Sequence, residues 1–162
     1  MNPEKIFKTK TGYCHIFPDK IVLSRDGVAG SVAKVTVGNS ITRILLIYGL
    51  IAAFLLYLAF DSYQDGQTTV AVLQVLLGIY LLVNVSRSLN NSAEPIIDRN
   101  RIQNIKLKKA VPGLTRSYFE VNFLNEENKI KKRLIMLPGS LSNGKEETEK
   151  AIQIMKEENL LV

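Results

Sequence analysis

The middle of this chain lacks cationic side chains. Between Ile44 and Ser86 there is no Lys or Arg, and the only acids are Asp61 and Asp65. The flanks therefore hold all 21 Lys and Arg but two fewer than the chain's 15 acids, so its net charge of +6 understates how basic they are. Cysteine is nearly absent as well. The single Cys14 excludes an intrachain disulfide and fits a reducing compartment. Tryptophan is missing, and His15 is the only histidine. Cys14 and His15 are neighbours in a run that reads as a strand. Their side chains then point to opposite faces and cannot form a dyad or share a metal. No P-loop, GxGxxG or GxSxG pattern is present. We therefore expect no catalytic residues, no cofactor, no metal and no enzyme. Met1 to Ser40 contains no uninterrupted apolar run, so no signal peptide is expected there.

Two long apolar runs stand out, Ile44 to Phe60 ("ILLIYGLIAAFLLYLAF") and Thr69 to Val85 ("TVAVLQVLLGIYLLVNV"). About 17 residues at 1.5 Å rise span about 25 Å, near the lower limit for crossing a bilayer. Both runs are apolar all round, and too little sequence remains to cover two such helices in a soluble core. The loop "DSYQDGQTT" (Asp61 to Thr69) has no cation, whereas Lys34 and Arg43 precede the first run and Arg87, Arg99 and Arg101 follow the second. The positive-inside rule then puts both termini in the cytoplasm and the loop outside. Gln74 and Asn84 are the polar residues of the second run. Neither run contains an ionisable residue of the kind that marks an ion path. Gly49 and Gly78 form no GxxxG pattern, and an oligomeric channel or transporter is the weakest functional class.

Outside these runs the period changes. "GYCHIF" and "KIVLSR" (Gly12–Phe17 and Lys20–Arg25) read as a hairpin about Pro18-Asp19. "GVAGSVAKVTVG" (27–38) reads as a third strand. "AEPIID" (Ala93–Asp98) reads as a fourth, with Pro95 confining it to an edge or a strand start. Ile102–Ala110, Ser117–Phe123 and Lys129–Leu137 alternate with period two as a meander. "KEETEKAIQIMKEENLLV" reads as a helix to the end, with Ser142 and Asn143 as candidate N-caps. Its stripe is Thr148, Ala151, Ile152 and Met155, and Glu146 pairs with Lys150.

An isolated two-stranded hairpin is marginal in water. About 40 residues ahead of the apolar runs are too few to fold alone. The expected organisation is therefore one domain drawn from residues 1–40 and 87–162, with a transmembrane hairpin at 41–86 inserted into it.

Seven strands closed by a C-terminal amphipathic helix resembles the pleckstrin-homology-like (PH-like) fold. "GYCHIFPDKIVLS" resembles its first hairpin. "EPIIDRNRIQNIKLKK" resembles the segment re-entering the domain after transmembrane helices, and "KKRLIMLPGSLSNGKEETEKAIQIMKEENLL" resembles the last strand and closing helix. The chain thus looks like small bacterial inner-membrane proteins with PH-like domains. The fold class this implies is an α+β membrane protein: a seven-stranded PH-like β-barrel or sandwich with a C-terminal capping helix, interrupted by a transmembrane helical hairpin. The resemblance carries no phosphoinositide site, because the first inter-strand loop is read as Phe17-Pro18-Asp19-Lys20, with one cation.

The candidate contact residues are Lys106, Lys108, Lys109, Arg116, Lys131, Lys132 and Arg133, beside Lys129, on neighbouring strands and their turn. Cations reaching a bilayer each add about 1 kcal/mol of attraction to anionic headgroups. Lysine also occurs on exposed strands simply to discourage edge pairing. Two functions follow as expectations. The first is a non-enzymatic inner-membrane protein presenting a cytoplasmic PH-like domain to a protein partner or to its own copies. The second is binding or sensing of anionic lipid through the basic strands. The lipid bilayer is the common partner, and nucleic acid is not expected, because no aromatic platform interleaves with the lysines.

Overall fold

A computed structural model describes residues 5–28, 31, 41–111, 115–139 and 143–161. The chain divides into two compact units. One draws on Met1–Ser40 and Asn91–Val162, the other is Ile41–Asn90.

In the first unit, strands β1 (Lys5–Thr9), β2 (Gly12–Ile16), β3 (Lys20–Arg25) and β4 (Ile96–Asp98) form an antiparallel sheet in that order. A second antiparallel sheet contains β5 (Ile102–Lys108), β6 (Tyr118–Leu124) and β7 (Ile130–Met136). The two sheets are open, so the expected closed barrel is not formed. The inner face of the first sheet is built by register. Phe7 pairs with Cys14 and Cys14 with Leu23, while Ile16, Ile21 and Ile97 line up across three strands. Phe119, Val121, Phe123 and Ile135 face them from the second sheet, and Phe7 meets Phe119 edge to face at 5.9 Å. Side chains from before and after the apolar runs thus share one core.

Strand β1 is absent from the sequence reading. Lys5, Lys8 and Lys10 break its apolar pattern, and Phe7 with Thr9 is all it turns inward. The hairpin at Gly12–Arg25 is consequently the second turn of the sheet, and the first inter-strand turn is Lys10-Thr11. Gly12 follows that turn, where a Cβ would lie 2.2 Å from the Ser24 carbonyl oxygen. No other residue fits so close an approach. The strand expected at 27–38 is not seen where it can be followed. Gly27, Val28 and Ser31 are helical, and its other positions lie outside the described residues. Strand β4 is shorter than expected and starts just after Pro95, whose carbonyl accepts from Leu23 N–H at 2.7 Å.

Helix α3 (Gly144–Glu157) follows the second sheet and sets Ala151, Ile154 and Met155 into the core. It stops before the C-terminus. Asn159 adopts φ 53°, Leu160 N–H bonds the Met155 carbonyl at 2.9 Å, and Asn159 N–H bonds that of Lys156 at 2.9 Å. This is a Schellman stop with Asn in the left-handed position, and Leu160 and Leu161 pack back onto the core. At the other end Asn143 makes no side-chain cap, and Ser142 lies outside the described residues.

The second unit is a helical hairpin, α1 (Thr42–Gln64) and α2 (Thr68–Ser88), both long and apolar enough to cross a membrane. At 1.5 Å per residue they measure about 35 and about 32 Å. They exceed the apolar runs because the polar residues at both ends continue the helices, shrinking the loop to Asp65–Gln67. The small residues Ala52, Ala59, Ala71 and Gly78 are its buried positions. A Cβ on Gly78 would lie 3.0 Å from the Leu56 side chain, so the helices touch there. Asn84 Nδ2 bonds the Tyr80 carbonyl of its own helix at 2.8 Å.

Candidate functional site

Strands β5 and β7, on either side of β6, carry most of the basic residues singled out from the sequence. Directly paired residues of antiparallel strands share a face. Phe119, Val121 and Phe123 are buried, so their partners Leu107, Ile105 and Ile135 lie on the inner face, as do Arg133 opposite Val121 and Lys131 opposite Phe123. The outer face holds the other set. Lys106 pairs with Glu120, Lys108 with Tyr118, Lys132 with Asn122, and Met136 with Tyr118. Asn122 Nδ2 donates to Asn104 Oδ1 at 2.8 Å across that face.

The seven candidates therefore form three groups. Lys106, Lys108 and Lys132 share the outer face. Lys109 and Arg116 are exposed in the β5–β6 connection, with the Arg116 guanidinium packed beside Gly139. Lys131 and Arg133 belong to the inner face. A run such as Lys131-Lys132-Arg133 cannot act as one surface in a strand, because consecutive side chains alternate. Ile130 and Met136 are exposed on the outer face, so its cations stand among apolar side chains.

Arg133 differs from the others. Its Nη1 donates to the Ser92 carbonyl at 3.0 Å, and its Nε is buried with no hydrogen-bond partner. Burial, with the Arg25 charge adding to it, lowers its pKa to about 10, and Cys14 and Glu94 oppose the shift. Burial also raises the Cys14 thiol pKa strongly. His15 lies on the opposite face, 3.4 Å from Ser24 Oγ and stacked on Phe17, so the Cys-His neighbours stay apart as strand geometry requires.

The acids of α3 act across the fold. Lys5 Nζ meets Glu157 Oε2 and Glu158 Oε1, each at 3.0 Å. Arg99 reaches Glu158 Oε2 at 2.7 Å, the Glu158 carbonyl at 2.7 Å and the Phe17 carbonyl at 3.2 Å. Hydrogen bonds from Arg99 and then Lys5 hold Glu158 below the usual carboxylate range, and Lys5 does the same for Glu157. Among the described residues no ion pair joins Glu146 to Lys150. Sequence reasoning also missed Lys10 and Arg25, which lie near Arg133 in space, and no local spacing signals that gathering. Comparison with family models, with curated proteins and with solved structures finds no match.

Proposed function

We propose that the chain is a non-enzymatic, membrane-anchored protein. Its PH-like domain offers the outer face of the β5–β6–β7 sheet to a protein partner with acidic and apolar side chains, or to another copy during assembly. The observation that carries this reading is the composition of that face. Lys106 and Lys108 are exposed there together with Ile130 and Met136. Protein interfaces combine an apolar centre with charges that steer and orient. A four-stranded sheet, a three-stranded sheet and a closing C-terminal helix, in that order, support a PH-like domain. The apolar α1–α2 pair, free of cations between Ile44 and Ser86 and flanked by basic segments, supports a bacterial inner-membrane protein with both termini cytoplasmic.

The test is photo-crosslinking in intact membranes from a reactive residue at position 130. A discrete protein adduct is expected, and Lys106→Glu with Lys108→Glu should abolish it. Adducts to lipid alone would favour the headgroup reading. No adduct at all would remove this face from consideration.

A further inference from the structure

We propose that the cleft between the β1–β2 turn, the end of β3 and strand β7 binds a small oxyanion of the phosphate class through Lys10, Arg25 and Arg133. The cleft encloses about 200 Å³ and draws on Thr9–Thr11, Leu23–Arg25 and Arg133–Met136. Three cations line it, and among the described lining residues none is acidic. Thr9, a buried hydroxyl-bearing residue, lines it too.

Three further observations point to an anion. The Nε of Arg133 is buried without a hydrogen-bond partner although the same guanidinium bonds the Ser92 carbonyl through Nη1. A buried donor left in this way requires explanation, and because the atom is closed to water as it stands, a ligand oxygen supplies one only when the guanidinium turns toward the cleft. Next, Arg25 stands close enough for its charge to depress the pKa of Arg133. An oxyanion between two guanidiniums replaces that repulsion with charge-assisted hydrogen bonds. Third, the frame is fixed. Lys10 N–H bonds the Met136 carbonyl at 2.8 Å, tying the turn to β7, and the tight approach at Gly12 ties it to β3.

Size narrows the class. Pockets for drug-sized ligands measure about 300–1,000 Å³, so this cleft of about 200 Å³ takes in one phosphate group and little of whatever carries it. The same group occurs as free inorganic phosphate or as a phosphomonoester on a lipid headgroup. The cleft shares Met136 with the outer sheet face but lies at the other end of β7 from Ile130, so crosslinking from position 130 does not report on it and the two readings fail separately.

The full chain in nanodiscs of neutral phosphatidylcholine tests the proposal, with the arginine Nε–H signals followed by NMR. Arg133→Lys assigns the Arg133 signal by its loss. Adding inorganic phosphate at constant ionic strength should move that signal saturably. Arg25→Gln should weaken the effect about tenfold, as loss of one charge-assisted contact implies. Lys10→Gln, at an exposed position, should weaken it in a chain whose other signals are unchanged. If phosphatidic acid discs shift the signal without free phosphate, the headgroup is the source. If only free phosphate shifts it, the ligand is soluble. A signal that neither source moves, or a shift indifferent to Arg25→Gln and Lys10→Gln, overturns the proposal.

Discussion

The two units of this protein bury opposite kinds of residue. In the strand unit the large side chains Phe7, Phe119 and Phe123 are inside. In the helical hairpin the large side chains Leu50, Phe54, Tyr57 and Leu76 are outside, and the buried positions are Ala52, Ala59, Ala71 and Gly78. Both patterns follow from one rule about apolar surface if the hairpin is solvated by lipid, as its length and composition allow. Where water surrounds the fold, burying large apolar groups drives assembly. Where lipid surrounds it, that drive vanishes, and small residues let the helices approach for contact alone.

Deleting residues 1–25 breaks the comparison most severely. It removes β1, β2 and β3, and with them Phe7, Cys14, Ile16, Ile21 and Leu23 from the shared core. We expect the remaining strands to become protease-sensitive throughout while α1 and α2 stay inserted. Limited proteolysis of membranes with an antibody to the C-terminus reads both. A C-terminal segment that stays resistant would show that the core does not depend on the first three strands.

Paired truncations sharpen the contrast. Phe119→Ala should cost the strand unit about 3–5 kcal/mol, the range for emptying an aromatic site in a tight core. Phe54→Ala, on the outer surface of α1, should leave the denaturant midpoint of the strand unit within about 0.5 kcal/mol of the parent. Similar losses from both would mean that the units fold as one.

A smaller effect belongs to the clamp of Lys5, Arg99 and Glu158. Arg99→Leu removes bonds to Glu158 and to the Phe17 carbonyl and should cost about 1–3 kcal/mol, reduced by partial exposure. Glu157 and Glu158 titrate below the usual range in the fold, so the unfolded chain binds protons first as pH falls. The clamp's contribution is then complete above the ordinary glutamate pKa of about 4.3 and declines as pH drops through and below it. Urea titrations at descending pH should show a shallower loss in Arg99→Leu than in the parent. Equal slopes would mean that the clamp is electrostatically silent.

The smallest expected signal comes from Cys14. It is fully buried and its thiol pKa is raised, so the native protein should resist a maleimide at neutral pH and react once unfolded. Rapid labelling of the native state would mean that β2 opens easily.

Much of the fold was legible where the apolar period was clean. Strand β6 alternates without interruption, and the structure places it within one residue of its expected position. The apolar runs revealed both helices of the hairpin but not their ends, since Asp61 to Gln64 continue α1 despite their polarity. Strand β1 was hidden because Phe7 is its one apolar residue on the inner face, while Lys5 and Thr9 share that face and Ile6 stands on the other. The end of α3 was hidden because "KEENLLV" still looks amphipathic, whereas Asn159 in a left-handed conformation closes the helix there. Of the candidate site, the run of charges was visible but its division was not. Lys132 faces outward while Lys131 and Arg133 face inward, and only the register with β6 distinguishes them.

The sequence by itself determined the charge segregation, the two apolar helices and the presence of strands on both sides of them, because these depend on residue type and local period. The tertiary structure decided that Ile21 pairs with Ile97, that Arg99 clamps the end of α3, and that Lys10 and Arg25 line one cleft with Arg133. Each of these joins segments more than fifty positions apart. Such contacts arise from packing two sheets around a common core, and no periodicity within one segment encodes them.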